Sequence, residues 1–209
     1  MSEKLPFFDE EVLYEVIVST VDDTKQPNAA PMGVRYSNGQ LILQPYLTST
    51  TYQNLLTNKE AVINVTTSPE LFVKAALFQE EFNAEDFLTS LVSSAPFLKA
   101  CAHSFIVVRV SSFSIDDLKA RFLCEIVRVD LSEFRPRLYT RAFSSLIEIL
   151  IHATRVLAFQ RDKDKESEVS RLLELIDYHQ KIIGRVTSKN SMYQILMRKI
   201  NSKINQVRV

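Results

Sequence analysis

Glycine is scarce in this chain, at three residues in 209. No Gly-rich loop of the Walker or dinucleotide kind is therefore available, which makes the usual nucleotide-binding folds poor candidates. Cysteine is sparser still. Cys101 and Cys124 stand apart among apolar residues, a pattern of buried free thiols rather than of a disulfide or a metal site, and one that suits the cytosol. Neither sign of charge dominates: 25 Lys and Arg balance 25 Asp and Glu. No global field draws such a chain to nucleic acid or to an anionic membrane. No uninterrupted apolar run reaches the roughly 18 residues of a spanning helix. The opening Met1-Ser2-Glu3-Lys4-Leu5-Pro6 lacks the basic-then-apolar order of a signal peptide. These absences predict a cytoplasmic protein with no nucleic-acid and no membrane partner. Its length suits one domain with an appended helical piece.

What is present changes period along the chain. Val12 to Val21 alternates β-branched and aromatic residues and reads as a strand. Asn28 to Tyr36 reads as a second strand, with Pro31 placing it at an edge or beside a bulge. Ser37-Asn38-Gly39 offers the positive-φ residues of a tight hairpin into Gln40 to Tyr46. A short helix over Thr51 to Asn58 leads to a strand over Ala61 to Thr66. Ser68-Pro69-Glu70 is a helix start, with a hydroxyl cap, proline in the first turn and an early acid, for a helix running to about Gln79. Residues 80–99, acidic and then apolar, read as an insertion with some helix. Phe105 to Phe113 and Ala120 to Asp130 complete six strands. Beyond Pro136 the spacing is helical over Leu138 to Phe159, Lys165 to Ile183 and Ser188 to Ile204, with Gly184 as a terminator. The domain expectation is a β domain over 1–136, with a helical insertion over about 69–99, and a helical region over 137–209.

Four hydroxyls in a row, Thr48, Ser49, Thr50 and Thr51, precede Tyr52, Gln53 and Asn54. Thr50 with Gln53 fits a capping box, so Thr50 is expected to cap the helix. A helix start also offers unpaired N–H groups and a positive dipole, and the surplus hydroxyls add donors for an anion. Gly33, between Met32 and Val34, weakens a strand unless the chain bulges there or something flat approaches its backbone closely. Asn64, in an apolar strand, needs a partner if buried. A ligand or a neighbouring loop backbone would serve equally.

At about 100° per residue, Arg141, Glu148, His152 and Arg155 share one helix face with Ser144 and Ser145 beside them. Phe143, Leu146, Leu150, Ala153 and Leu157 gather opposite. A polar stripe this narrow on so apolar a helix is expected to be partly covered, by the barrel, a second subunit or a ligand phosphate. His103 and His179 have no companions at ligand-like spacing, so no metal site is expected. No nucleophile–base pair is evident either.

Several segments in this order resemble a mostly archaeal family of FMN-binding split-barrel proteins related to flavin reductases and pyridoxamine-phosphate oxidases. They are Asn28-Ala29-Ala30-Pro31-Met32-Gly33-Val34, Thr51-Tyr52-x-Asn54-Leu55 and Val62-Ile63-Asn64-Val65-Thr66. Pro69-x-Leu71-Phe72-Val73-x-Ala75-Ala76-Leu77, Arg121-x-x-Cys124 and Thr140-Arg141-Ala142 follow, then Ile147-Glu148 and Ile151-His152-Ala153-Thr154-Arg155. The resemblance implies an α+β fold, a six-stranded antiparallel split β-barrel with a helical C-terminal region. It also implies a homodimer holding FMN between subunits. The phosphate would lie near Ser49, Thr50, Thr51, Tyr52 and Asn54, with ring contacts from Met32, Gly33, Val34, Asn64, Val65 and Thr66. The family usually has an acid where Ser68 stands, and often a basic residue where this chain has Gln44 and Tyr46. Arg141 and Arg155 are therefore candidates to neutralise the phosphate.

The resemblance implies an FMN-dependent oxidoreductase that takes electrons from a reduced nicotinamide or deazaflavin and passes them to a small acceptor. The alternatives are a non-enzymatic FMN-binding or storage protein, and an interaction module that keeps the barrel without the ligand. Hydride transfer leaves no obligatory side-chain signature, so the residues themselves do not separate the first two.

Overall fold

The computed structural model describes Leu5, Phe8 and residues 13–132 and 140–205. The chain divides into two compact units, Met1–Thr66 with Gln79–Arg135, and Thr67–Phe78 with Pro136–Val209. The second is not a simple C-terminal piece, because a stretch excised from the middle of the chain belongs to it.

The first unit begins with strands β1 (Leu13–Val21), β2 (Pro27–Ser37) and β3 (Gln40–Leu43), followed by helix α1 (Thr50–Asn58) and strand β4 (Glu60–Asn64). A two-residue hairpin, β5 (Phe87–Leu88) and β6 (Phe97–Leu98), precedes the long strands β7 (Phe105–Asp116) and β8 (Lys119–Asp130). Six strands close into a barrel in the order β1-β2-β3-β8-β7-β4. Every pairing around it is antiparallel. The fold is the six-stranded antiparallel barrel expected from the sequence.

Alternation decides what fills it. Val16, Val18, Val34, Leu41, Ile63 and Phe122 point inward and are almost wholly buried, with Leu55 of α1 closing one end. Each such side chain contributes about 1.5–3 kcal/mol relative to an exposed one. The interior is thus packed with side chains, as a small barrel requires, and any ligand must bind outside it. The intervening residues Ile17, Ser19 and Val62 face outward yet are also buried. The segment carrying β5 and β6 covers this outer face, where Val62, Phe105 and Val107 meet Ala95 and Phe97.

The β2–β3 turn has the predicted chemistry: Asn38 and Gly39 have φ of 50° and 80°, the pair a right-twisting hairpin demands. β3 ends earlier than expected, at Leu43 rather than Tyr46, because Pro45 has no N–H for a ladder. Tyr46 retains only an isolated bridge to Lys119. Residues 80–99 are expected from the sequence to form an insertion with some helix; the segment from 79 to 104 holds single 3₁₀ turns and the β5–β6 hairpin.

The second unit contains α2 (Pro69–Leu77), α3 (Arg141–Phe159), α4 (Glu166–Val186) and α5 (Met192–Asn205). Ser68 caps α2 as its sequence predicts, accepting from the Leu71 N–H at 3.3 Å. α3 has the length and apolar composition of a spanning helix, but it packs on α2, α4 and α5 and buries Ala142, Leu146, Ile149, Leu150, Ala153 and Val156. α4 runs through Gly184 rather than stopping there. The Thr187 hydroxyl, donating to the Ile183 carbonyl at 2.7 Å, holds its last turn. The expected start of α3 at Leu138 lies outside the described residues.

Candidate functional site

β2 is paired on both sides only at its C-terminal half. β1 follows it from Pro27 to Arg35, whereas β3 joins only from Val34 to Ser37. One side of residues 27–33 is therefore open, and Ala30, Pro31, Met32 and Gly33 are all half-buried. Pro31 sits on this open edge, where a missing N–H leaves no gap in a β2–β3 ladder.

Gly33 has a specific reason. The β1–β2 register is continuous through it, with Gly33 opposite Glu15, so there is no bulge. A Cβ on Gly33 would stand 2.7 Å from Cδ1 and 2.9 Å from Cγ of Leu13. The close approach inferred from the glycine exists, and Leu13 makes it. Val34, expected among the ring contacts, is wholly buried in the barrel interior. Met32 packs its inner side on the same core and leaves the rest at the open edge.

The start of α1 lies beside the beginning of this edge. Ser49, not Thr50, is the cap: its Oγ accepts from the Tyr52 N–H at 3.2 Å. The same hydroxyl donates to the Tyr46 carbonyl at 2.7 Å, which draws the cap one residue earlier than the capping-box pattern indicates. Thr50 is then the first helical residue and is exposed. Thr51 and Asn54, one turn apart, face inward and are buried. The Asn28 amide donates to Thr51 Oγ1 at 3.2 Å, and the Asn54 amide donates to Thr20 Oγ1 at 3.0 Å. Tyr52 is half-buried and packs its ring toward Phe122. The expected row of anion donors thus divides. Ser49, Thr50 and the first amides of α1 form the helix end, while Thr51 and Asn54 bind the helix to β1 and β2. Asn28 was absent from the expected site; its signal is a polar side chain at a strand start, within the stretch of β2 that lacks a β3 partner.

Asn64 belongs to the barrel's own bonding. It is fully buried and donates to the Ile17 carbonyl and Ser19 Oγ, both at 3.0 Å. Its Oδ1 accepts from the Leu98 N–H at 2.7 Å. The neighbouring-loop alternative, through Leu98, therefore accounts for the buried Asn64 side chain together with its bonds to β1. Val65 donates its N–H to the Ser104 carbonyl at 2.8 Å, and Thr66 hydrogen-bonds the Cys101 thiol. Burial pushes the two thiols up, Cys101 to about 11 and Cys124 to about 12. Both are free and buried, as expected.

Arg141 and Arg155 lie on α3 in the second unit, and both are exposed together with Ser144 and Glu148. Ser145 is buried and His152 half-buried. The stripe expected to be partly covered is thus mostly open in the single chain. α4 brings His179 to it: the two imidazole centroids lie 6.1 Å apart. Glu148, His152 and His179 each place a potential ligand atom within 4.8 Å of the others. That grouping corrects the expectation that His179 has no companions, because spacing along the chain says nothing about a partner on another helix. Burial, above all, pushes the His152 imidazolium below its ordinary value. His179, Arg155 and Arg171 act in the same direction, and Glu148 opposes them.

Models of one family match nearly the whole chain, the N-terminal domain of a protein of unknown function, DUF447, over residues 14–133, and the DUF447 C-terminal part over residues 140–202. The uncharacterized protein MJ1453 of Methanocaldococcus jannaschii is 27% identical over 200 residues, covering 91% of this chain and 99% of that one. The crystal structure of FMN-bound protein MM1853 from Methanosarcina mazei, assigned to the same family, superposes with a TM-score of 0.74 at 22% identity. That superposition covers 95% of this chain and 96% of the other. With both parts matched in order, on a closed six-stranded barrel followed by helices, this chain belongs to the DUF447 family.

Proposed function

We propose that this protein is an FMN-binding flavoprotein whose phosphate site is the start of α1 and whose ring site is the open edge of β2. The observation that carries the reading is the Asn28–Thr51 hydrogen bond, which joins these two features into one surface. From Asn28 to Met32 the strand advances about 13 Å at 3.3 Å per residue, enough for the sugar-alcohol chain of FMN and the near part of its ring to lie along it. The Thr50 hydroxyl and the free first-turn amides of α1 would take the phosphate, with Ser49 holding that turn through its bonds to the Tyr46 carbonyl and the Tyr52 N–H. Met32 and the backbone of residues 30–33 would support the ring. The packed barrel interior supports an outer surface such as this one for a flat cofactor. A family member described as FMN-bound supports the same reading.

Bound there, FMN supplies hydride and single-electron chemistry, and the protein's part is to position it and exclude water. We further propose an oxidoreductase that accepts electrons from a reduced nicotinamide or a reduced deazaflavin. The half-buried edge at residues 30–33 supports this by leaving room for a donor at the ring. Two buried, unpaired thiols suit the reducing cytoplasm. A homodimer is proposed as well: the far end of the β7–β8 hairpin leaves Phe113, Ile115 and Leu118 about half exposed or more, at 49%, 56% and 64%. Apolar groups grouped in this way favour association.

The test is a visible spectrum of the purified protein, before and after FMN addition and desalting, followed by anaerobic mixing with each donor. Retained flavin absorbance, bleached rapidly by one donor, supports the full reading. Retained flavin that no donor reduces reassigns the protein to FMN storage. A colourless protein after FMN addition overturns the site. Light scattering of Ile115→Glu tests the dimer: a monomeric variant of a dimeric parent supports it.

A further inference from the structure

The polar stripe of α3 is not used by the flavin reading, and its centre has the chemistry of another kind of site. We propose that Glu148, His152 and His179 bind a divalent transition-metal ion of the zinc, cobalt or nickel class, with a coordination position left open to solvent. The proposal is independent of flavin binding.

Glu148 and His152 are four residues apart on α3, so both side chains leave the same face, one turn above the other. His179 arrives from α4, whose buried Leu172, Ile176 and Ile183 fix its rotation in the same helical unit. The three potential ligand atoms lie within 4.8 Å of one another. Ligand atoms about 2.0–2.1 Å from a shared tetrahedral ion stand roughly 3.4 Å apart. Closing the difference takes small side-chain rotations on both helices, and Glu148, which is exposed, has room for its part.

The second observation concerns the imidazoles. Nδ1 of His152 and Nδ1 of His179 are both buried without a hydrogen-bond partner. Buried ring nitrogens ordinarily have one, and two such orphans on adjacent histidines beside a carboxylate indicate a missing electrophile. Two imidazoles and a carboxylate suit a borderline divalent ion rather than calcium or magnesium. Three protein ligands at a half-exposed position leave room for water or an exogenous ligand. The positive charges of Arg155 and Arg171 disfavour a cation at His152, so they lower affinity rather than contributing to it.

The experiment uses the full-length protein, titrated with Zn²⁺ by calorimetry and with Co²⁺ by visible absorption. The expected result is one ion per chain, weakened at least tenfold by His179→Gln and by His152→Gln. Arg171→Gln should tighten binding several-fold. His103→Gln, at the exposed partner of Asp130 in the barrel unit, should leave it unchanged. Thiocyanate should shift the Co²⁺ spectrum if a position is open. Paramagnetic shifts of the His152 and His179 ring protons in the Co²⁺-loaded wild type provide a readout that does not depend on folded variants. Absence of stoichiometric binding, full-strength binding in both histidine variants, or ring shifts confined to His103 would each overturn the proposal.

Discussion

The side-chain amide of Asn28 donates to the Thr51 hydroxyl at 3.2 Å, so that the open edge of β2 and the first turn of α1 are held as one surface. Both partners lie at the boundary between barrel structure and proposed site, which separates two kinds of substitution. Thr51→Val and Asn54→Ala should lower stability by about 1–2 kcal/mol each, since each leaves a buried partner without its hydrogen bond. Thr50→Ala should instead weaken FMN binding by removing a donor, and Ser49→Ala by loosening the helix turn that it caps. Urea unfolding and a flavin titration on the same four variants distinguish the outcomes. Equal flavin affinity across Ser49→Ala, Thr50→Ala and the parent removes α1 from the phosphate site.

Asn64→Leu should be among the most damaging substitutions in the barrel, costing about 2–4 kcal/mol in a flavin-free unfolding experiment. It would leave the Leu98 N–H, the Ile17 carbonyl and Ser19 Oγ without their buried partner. A variant as stable as the parent would return Asn64 to the list of cofactor contacts.

Gly33 and Leu13 should behave as a coupled pair. Gly33→Ala puts a methyl 2.7 Å from Leu13 Cδ1, which Leu13, 48% exposed, relieves by leaving its rotamer. The expected cost is about 0.5–1.5 kcal/mol. Leu13→Ala should remove most of that penalty, giving a non-additive double-mutant cycle. Additive effects would mean that something other than Leu13 requires the glycine.

Acid should loosen the barrel partly through Glu60. Burial pushes its carboxyl up, but the Ser94 N–H, Arg109 and the Ser94 and Ser93 hydroxyls together outweigh this and hold it below its ordinary value of 4.5. The folded state therefore prefers the carboxylate, and its contribution is complete above the unfolded value. It is lost as pH falls below about 4.5 and through the lower folded value. In a pH series of thermal unfolding, Glu60→Gln should start less stable at neutral pH and lose less on acidification. A parallel acid slope in both proteins would show that the Ser94, Ser93 and Arg109 contacts together leave the Glu60 carboxyl with no net preference for its charged form.

The sequence alone determined what depends on neighbours along the chain. Alternation of β-branched and aromatic residues marked β1, strand-like runs between turn signals marked the other five barrel strands, Asn38-Gly39 specified the first hairpin, and Ser68-Pro69 specified the start of α2, because each is dictated by local backbone and side-chain preference. Pro31 in the run from Asn28 to Val34 marked an edge or a bulge, and the β-sheet register decided for the edge. Tertiary structure decided which polar side chains remain available. Asn64, Thr51 and Asn54 look equally fit for a ligand in one dimension, and packing turned all three toward barrel partners. The cap at Ser49 rather than Thr50 depends on the Tyr46 carbonyl, which only the fold brings within reach. Gly33 signalled a close approach, but only the β1–β2 register identifies Leu13 as what approaches. His179 is the plainest case. It lies 27 positions from His152 along the chain, and only the packing of α4 on α3 places the two imidazoles beside Glu148, because helix-to-helix contact has no sequence period.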